Sequence, residues 1–195
     1  MGKIFYILGK SSTGKDTIYR ELLRKHSDKL RSIVLYTTRP MREGEKDGIT
    51  YHFVSERRYK ELYDKGLIIE ERSYDTIHGI WRYFTADDDQ IDLEEGDCLI
   101  TGVLESYVST RDYFGKDKVI PLYIEVEDGE RLTRALEREK KPGNHKYAEM
   151  CRRFLSDSED FSEEKLKEAG IEKRFVNDDF DICLKEIEDY IANNM

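Results

Sequence analysis

The feature that most restricts this chain lies near its start. A short apolar run at 4–8 passes straight into Gly9-Lys10-Ser11-Ser12-Thr13-Gly14-Lys15-Asp16-Thr17, and a helical pattern follows at once. Gly-x-x-x-x-Gly-Lys between a strand and a helix is the pattern of a phosphate-binding P-loop. The glycines let the backbone curl until successive N–H groups face one point. The helix N-terminus adds partial positive charge there, and Lys15 adds a full one. Residues 9–17 are therefore expected to hold the phosphates of ATP. Position 16 departs from the usual Ser or Thr, whose hydroxyl ligates Mg²⁺. Asp16 offers a hard carboxylate oxygen that suits Mg²⁺, directly or through water. The same acid also suits the first turn of a helix with no metal role.

The rest of the chain alternates. Short β-rich runs at 32–36, 98–101, 119–126 and 174–176 are separated by helical patterns. Residues 15–25 carry Ile18, Leu22 and Leu23; 130–140 carry Leu132, Ala135 and Leu136; 178–191 carry Ile182, Leu184, Ile187 and Ile191. This alternation predicts an α/β fold, a mostly parallel sheet flanked by helices. Between 37 and 89 the rhythm breaks into aromatic stretches, turn glycines and one helix near 55–65, which reads as an inserted mixed β/α substructure. A charged helical stretch at 146–169 reads as a lid-like excursion. With only 3 prolines, no Gly/Ser linker and no repeat, the 195 residues form one domain. Its expected parts are a core at 1–36, 90–127 and 170–195, an acceptor-binding insertion at 37–89 and a lid region at 128–169.

Lys and Arg total 33 against 42 Asp and Glu, a net charge of −9. That balance argues against nucleic-acid polymers as partners but leaves room for a local cationic cleft. No run approaches the ~18–20 apolar residues of a membrane helix, and the N-terminus lacks a signal-peptide pattern. Cys98, Cys151 and Cys183 are widely spaced, with no metal-ligand or disulfide framework. A cytoplasmic protein with reduced cysteines and no membrane association is expected.

After the second β-run comes Thr37-Thr38-Arg39-Pro40-Met41-Arg42-Glu43-Gly44-Glu45, continuing through Gly48 to Tyr51-His52-Phe53. Two arginines three apart with a downstream tyrosine suit one anion, since the guanidinium fork matches phosphate. Beside a P-loop they point to a second substrate with its own phosphate. This block resembles the guanylate kinase family pattern Thr-Thr-Arg-x-x-Arg-x-Gly-Glu-x-x-Gly-x-x-Tyr-x-Phe. Val176-Asn177-Asp178-Asp179-Phe180-Asp181 is similar to the family's Val-Asn-Asp-Asp-Leu-Asp.

The resemblance implies ATP-dependent, Mg²⁺-assisted phosphorylation of GMP or dGMP. It implies that Arg39, Arg42 and Tyr51 hold the acceptor phosphate, that Glu70 reads the base, and that Tyr83 and Thr85 contact phosphate and base. Glu71 is the neighbouring candidate for the acid. Lys15, Arg39, Arg134, Arg138 and Arg153 would be catalytic, with Arg152 competing for the third lid position, and Asn177 would lie near the adenine. The alternatives are a kinase of the same fold with another phosphorylated acceptor, or an inactive binding module. The sequence departs from the family pattern at Leu35 and Tyr36, where serines are usual, and at Thr101 and Val103, where Asp-x-Asp is usual. The segments 73–81 and 140–146 are lengthened. The phosphate machinery is thus better preserved than the base pocket.

Overall fold

A computed structural model describes residues 2–42, 44–76, 79–143 and 145–195. In chain order the elements are β1 (Ile4–Leu8), α1 (Lys15–Lys25), β2 (Leu30–Ser32), β3 (Tyr36–Thr37), β4 (His52–Phe53), α2 (Glu56–Asp64), β5 (Ile68–Thr76) and β6 (Gly79–Ala86). They continue with β7 (Asp97–Gly102), α3 (Leu104–Phe114), β8 (Val119–Glu125), α4 (Asp128–Glu139), α5 (Tyr147–Asp160), α6 (Glu163–Glu168), β9 (Arg174–Val176) and α7 (Phe180–Asn194).

β1 is the keystone of a five-stranded sheet of order β2-β7-β1-β8-β9, all parallel. Ile4 pairs with Cys98 on one side and Val119 on the other, and Leu8 with Gly102 and Tyr123. Every β1 residue is buried, as a parallel strand covered on both faces requires, hence the unbroken apolar run. Strand alternation divides it. Ile4, Tyr6 and Leu8 pack with Tyr107 of α3 and with Phe161 and Leu166; Phe5 and Ile7 pack with Ile18 and Leu22 of α1 and Leu184 and Ile187 of α7.

Residues 36–86 build a second sheet of order β4-β3-β6-β5, with a long antiparallel hairpin between β5 and β6. Tyr36, Leu62, Phe84 and Ala86 form its own small core beneath α2. Ser55 caps α2 by accepting from the Arg58 N–H.

The elements differ from expectation in four places. The strand expected at 32–36 is two, β2 in the core sheet and β3 in the second. The Val34 N–H donates to the Gln90 side chain, so the chain leaves the first ladder before joining the second. The expected boundary after residue 36 therefore falls inside β3. The excursion at 146–169 is two helices, because Ser162 caps α6 anew. The last helix starts at Phe180, capped by Asp179, whose carboxylate accepts from the Ile182 N–H. Asn177, two residues before that cap, takes no part in it and donates its side chain to Thr13 instead. Glu43 of the arginine block, Ile77 and His78 of the lengthened 73–81 segment, and Asn144 of 140–146 lie outside the described residues.

Two truncations test this account of the core. Ile7→Ala should cost about 2–5 kcal/mol by the loss of packing on the α1/α7 face. Leu155→Ala, at an exposed position of α5, should stay within about 0.5 kcal/mol. Chemical denaturation of the two variants reads both.

Candidate active site

The five parallel strands end on the same edge, and the loop between β1 and α1 wraps there. Gly14 takes φ 85° and would place a Cβ 2.5 Å from Asn177 Nδ2, so only glycine fits. A Cβ on Gly9 would lie 2.5 Å from the Ile124 carbonyl oxygen of β8. Ser12 takes φ 65° without being glycine. Asn177 is buried and donates from Nδ2 to the Thr13 carbonyl at 2.7 Å, while its own carbonyl accepts from Arg134. Asn177 therefore braces the loop from below. Lys15 Nζ stands 3.5 Å from Asp16 Oδ1, in a loose pair at the first turn of α1 where the Asp16 side chain is 73% exposed.

Arg131 of α4, which the sequence reading did not single out, is 1% exposed. It donates to the Ser11 carbonyl at 2.9 Å, to Asp157 of α5 at 3.3 Å and to Asp128 at 2.7 and 3.0 Å, and its guanidinium lies over the Phe154 ring. Asp157 in turn accepts the Ser11 N–H at 2.8 Å. One buried guanidinium thus ties the loop to both lid helices. Removing it would leave two carboxylates without their shared partner. Its spacing with Arg134 and Arg138 (i, i+3, i+7) on one amphipathic helix is the signal that could have found it.

Arg138 reaches the loop through Ser12 Oγ at 3.4 Å, and Arg134 pairs with Glu130 at 2.8 Å. Arg152 and Arg153 share Glu149. Both line a cavity of about 650 Å³ with Ser11, Arg39, Arg42, Tyr51 and Tyr83. Arg153 alone of the two also lines the crevice holding Ser12, Arg131 and Arg138. The arginines expected at the acceptor phosphate and one P-loop residue therefore face a single space.

Arg39 is buried, and its fork grips Glu45 bidentately at 2.7 and 2.8 Å while Nε donates to Tyr83 Oη. It lies over the rings of Tyr51 and Phe53. Glu45 also accepts the Arg42 N–H, so it fixes both the guanidinium and the turn that carries Arg42. The Arg39 hydrogen bond, helped by the Arg42 N–H, pulls the Glu45 carboxyl down to about 2, against the opposing effect of burial. Burial pushes the Tyr51 hydroxyl up.

Along the β5–β6 hairpin, Glu70 faces Thr85, Arg72 faces Tyr83 and Tyr74 faces Trp81. Glu70 is buried and accepts from Thr85 Oγ1 at 2.8 Å, Ser106 Oγ at 2.9 Å and Arg72 Nε at 3.4 Å. Glu71 turns to the other face, where it meets Arg82 and Tyr59. The choice left open between the two acids resolves by strand alternation. Glu70 is on the cleft side but lies beneath Arg72, which lines the cavity in its place.

Among the described residues no group of three or more His, Cys, Asp or Glu could hold a metal ion. Asp16 remains an exposed carboxylate beside the loop, consistent with a Mg²⁺ that takes one protein ligand and completes its shell with phosphate oxygens and water. No helix of the described residues is long and apolar enough to cross a membrane.

Comparison with known proteins agrees with this geometry. Residues 1–80 match the guanylate kinase family model. The guanylate kinase of Schizosaccharomyces pombe is 44% identical over 64 residues, 33% of this chain and 32% of that protein. That of Campylobacter jejuni is 28% identical over 137 residues, 69% of this chain and 64% of that protein. The match thus spans about a third of the length of the first of these relatives. The crystal structure of guanylate kinase from Anaplasma phagocytophilum superposes with a TM-score of 0.68 at 19% identity, covering 100% of this chain and 87% of that one. The fold is that of a P-loop protein, a parallel sheet flanked by helices. Its sequence is similar to the guanylate kinase family model over residues 1–80, which hold the P-loop and the arginine block, and its fold is like that of the solved guanylate kinase from end to end.

The Arg39–Glu45 clamp makes a pH prediction. Its carboxyl pKa is lowered on folding, so the clamp contributes its full stability above about pH 4–5 and loses it as pH falls through about 2. An NMR titration of the Glu45 side chain should show a midpoint near 2, returning towards about 4.3 in Arg39→Gln.

Proposed function

We propose that the protein transfers the γ-phosphoryl group of ATP to the phosphate of a nucleoside monophosphate, GMP or dGMP, giving the diphosphate and ADP. The observation that carries this reading is the shared cavity in which Ser11 of the P-loop faces Arg39, Arg42, Tyr51 and Tyr83. A loop built for one phosphate and a clamp built for another face the same space, as a phosphoryl transfer between them requires.

The acceptor oxygen is already ionised at neutral pH, so no general base is needed. The work of the site is alignment and charge neutralisation. Loop N–H groups and Lys15 would hold the donor phosphates, Asn177 would lie near the adenine, and Arg134 would act with the other lid arginines at the transferring group. Arg138 and Arg153 would reach the transferring group from the lid, and Arg39 and Arg42 would hold the nucleophile in line. Tyr51 and Tyr83 would shape the acceptor pocket, and Thr85 would fix Glu70. Mg²⁺, when bound near Asp16, neutralises charge on the phosphates. Closure of the lid region over the core would exclude water that otherwise consumes ATP. An inactive binding module is disfavoured by the presence of Lys15 at the P-loop and of Arg39, Arg42, Arg152 and Arg153 around one cavity.

ADP formation measured with Mg²⁺·ATP against GMP, dGMP, IMP, AMP, CMP and UMP tests the reading, and no turnover with any acceptor would overturn it. Lys15→Met should lower kcat by about 10²–10³ with a smaller effect on the acceptor KM. Arg39→Lys, which keeps charge but loses the fork, should raise the acceptor KM by about tenfold or more. Asp16→Ala should raise the Mg²⁺ concentration needed for half-maximal rate. An unchanged Mg²⁺ dependence would assign Asp16 to the helix dipole alone.

A further inference from the structure

We propose that Arg72 is the specificity-determining residue of the acceptor site, selecting a 6-oxopurine by donating to its O6 and N7 edge. The inference rests on the phosphoryl-transfer reading above and names how the base is recognised.

Three observations converge on Arg72. Glu70, the acid one would expect to read guanine's N1–H and N2–H₂, has a side chain only 3% exposed. Its two oxygens already accept from Thr85, Ser106 and Arg72, and it lines neither large cavity. Arg72 stands over it, 17% exposed, and lines both the 650 Å³ cavity and the neighbouring one of about 770 Å³ between β5, α3 and α6. It is thus at the place where the phosphate cleft continues inward. Among the described residues its one hydrogen bond is from Nε to Glu70, which fixes the plane of the guanidinium and leaves both terminal nitrogens without a protein partner. Burial works most strongly against its charge, but Glu70 together with Tyr6, Tyr74 and Tyr51 raises its pKa on balance.

A fixed guanidinium with two free terminal nitrogens matches two adjacent acceptor atoms. The O6 and N7 of guanine or hypoxanthine are such a pair, whereas adenine places an amino donor at position 6. A second phosphate offers acceptors too. The surroundings favour a flat base: Tyr74 is shared by both cavities, Trp81 and Tyr83 line the cleft beside it, and Val103 across from them is apolar. The guanine amino group, by contrast, finds no open carboxylate at Glu70. Recognition therefore falls on the acceptor edge, which guanine and hypoxanthine share.

The test is kcat/KM with Mg²⁺·ATP for GMP, IMP and AMP on the intact protein and on Arg72→Gln and Arg72→Lys, with a thermal melt to confirm folding. The unaltered protein should use IMP within about threefold of GMP and both far better than AMP. Arg72→Gln, whose amide suits adenine instead, should lower the GMP-to-AMP ratio by about 10–100-fold, mainly through KM. Arg72→Lys keeps the charge over Glu70 and should lower the ratio less. Parallel losses for all three acceptors would show a merely structural role and overturn the proposal. So would a preference for GMP over IMP above about tenfold, or for a sugar bisphosphate over all three. If no acceptor turns over, the transfer reading fails. Calorimetric binding of GMP, IMP and AMP to the same proteins then decides Arg72, with an unchanged GMP-to-AMP affinity ratio overturning it.

Discussion

The cleft depends on the pairing of β1 with β7 on one side and β8 on the other. Parallel strands send all their C-terminal ends to one edge, and the loop proposed to hold the donor phosphates leaves from that edge and is braced against it. The β1–α1 loop rises from Leu8, Gly9 abuts the Ile124 carbonyl of β8, and Asn177 at the end of β9 supports Thr13. The loop is rigid because its backing is a sheet buried on both faces. A phosphate site assembled on loops alone would lack that precision.

Upon that edge the molecule distributes its charge unevenly. A net charge of −9 coexists with a cleft lined by Arg39, Arg42, Arg72, Arg152 and Arg153. Several of these cations have an acid at arm's length: Glu45 for Arg39, Glu70 for Arg72, Glu149 for the lid pair. The partners orient guanidinium groups before any ligand arrives, and orientation is what a planar fork needs to be selective.

What was legible in the chain follows from how local each signal is. The P-loop and the Thr37–Phe53 block are short, contiguous patterns, and both families of side chains reach one cavity. The burial of β1 was legible because a doubly covered strand leaves no polar position. The split of 32–36 was not, because the change of sheet is made by Gln90, far along the chain. Arg131 and Arg72 were missed for a related reason. In a chain with 38% charged residues, one more arginine on a helix or strand carries no mark of burial. Its importance comes from Asp157 and Glu70, which the fold brings to it. At Asn177 the motif marked the position, but the support its side chain gives to Thr13 depends on a contact far along the chain and was not legible.

The contact between Asp157 and the Ser11 N–H has a consequence for how the cleft fills. The loop's amide is already answered by an internal anion, held in place by Arg131. A phosphate competing for that amide would therefore exchange one negative group for another, not enter a bare positive hollow. The carboxylate it displaces belongs to a lid helix, so occupancy of the loop and the position of α5 are two readings of the same exchange.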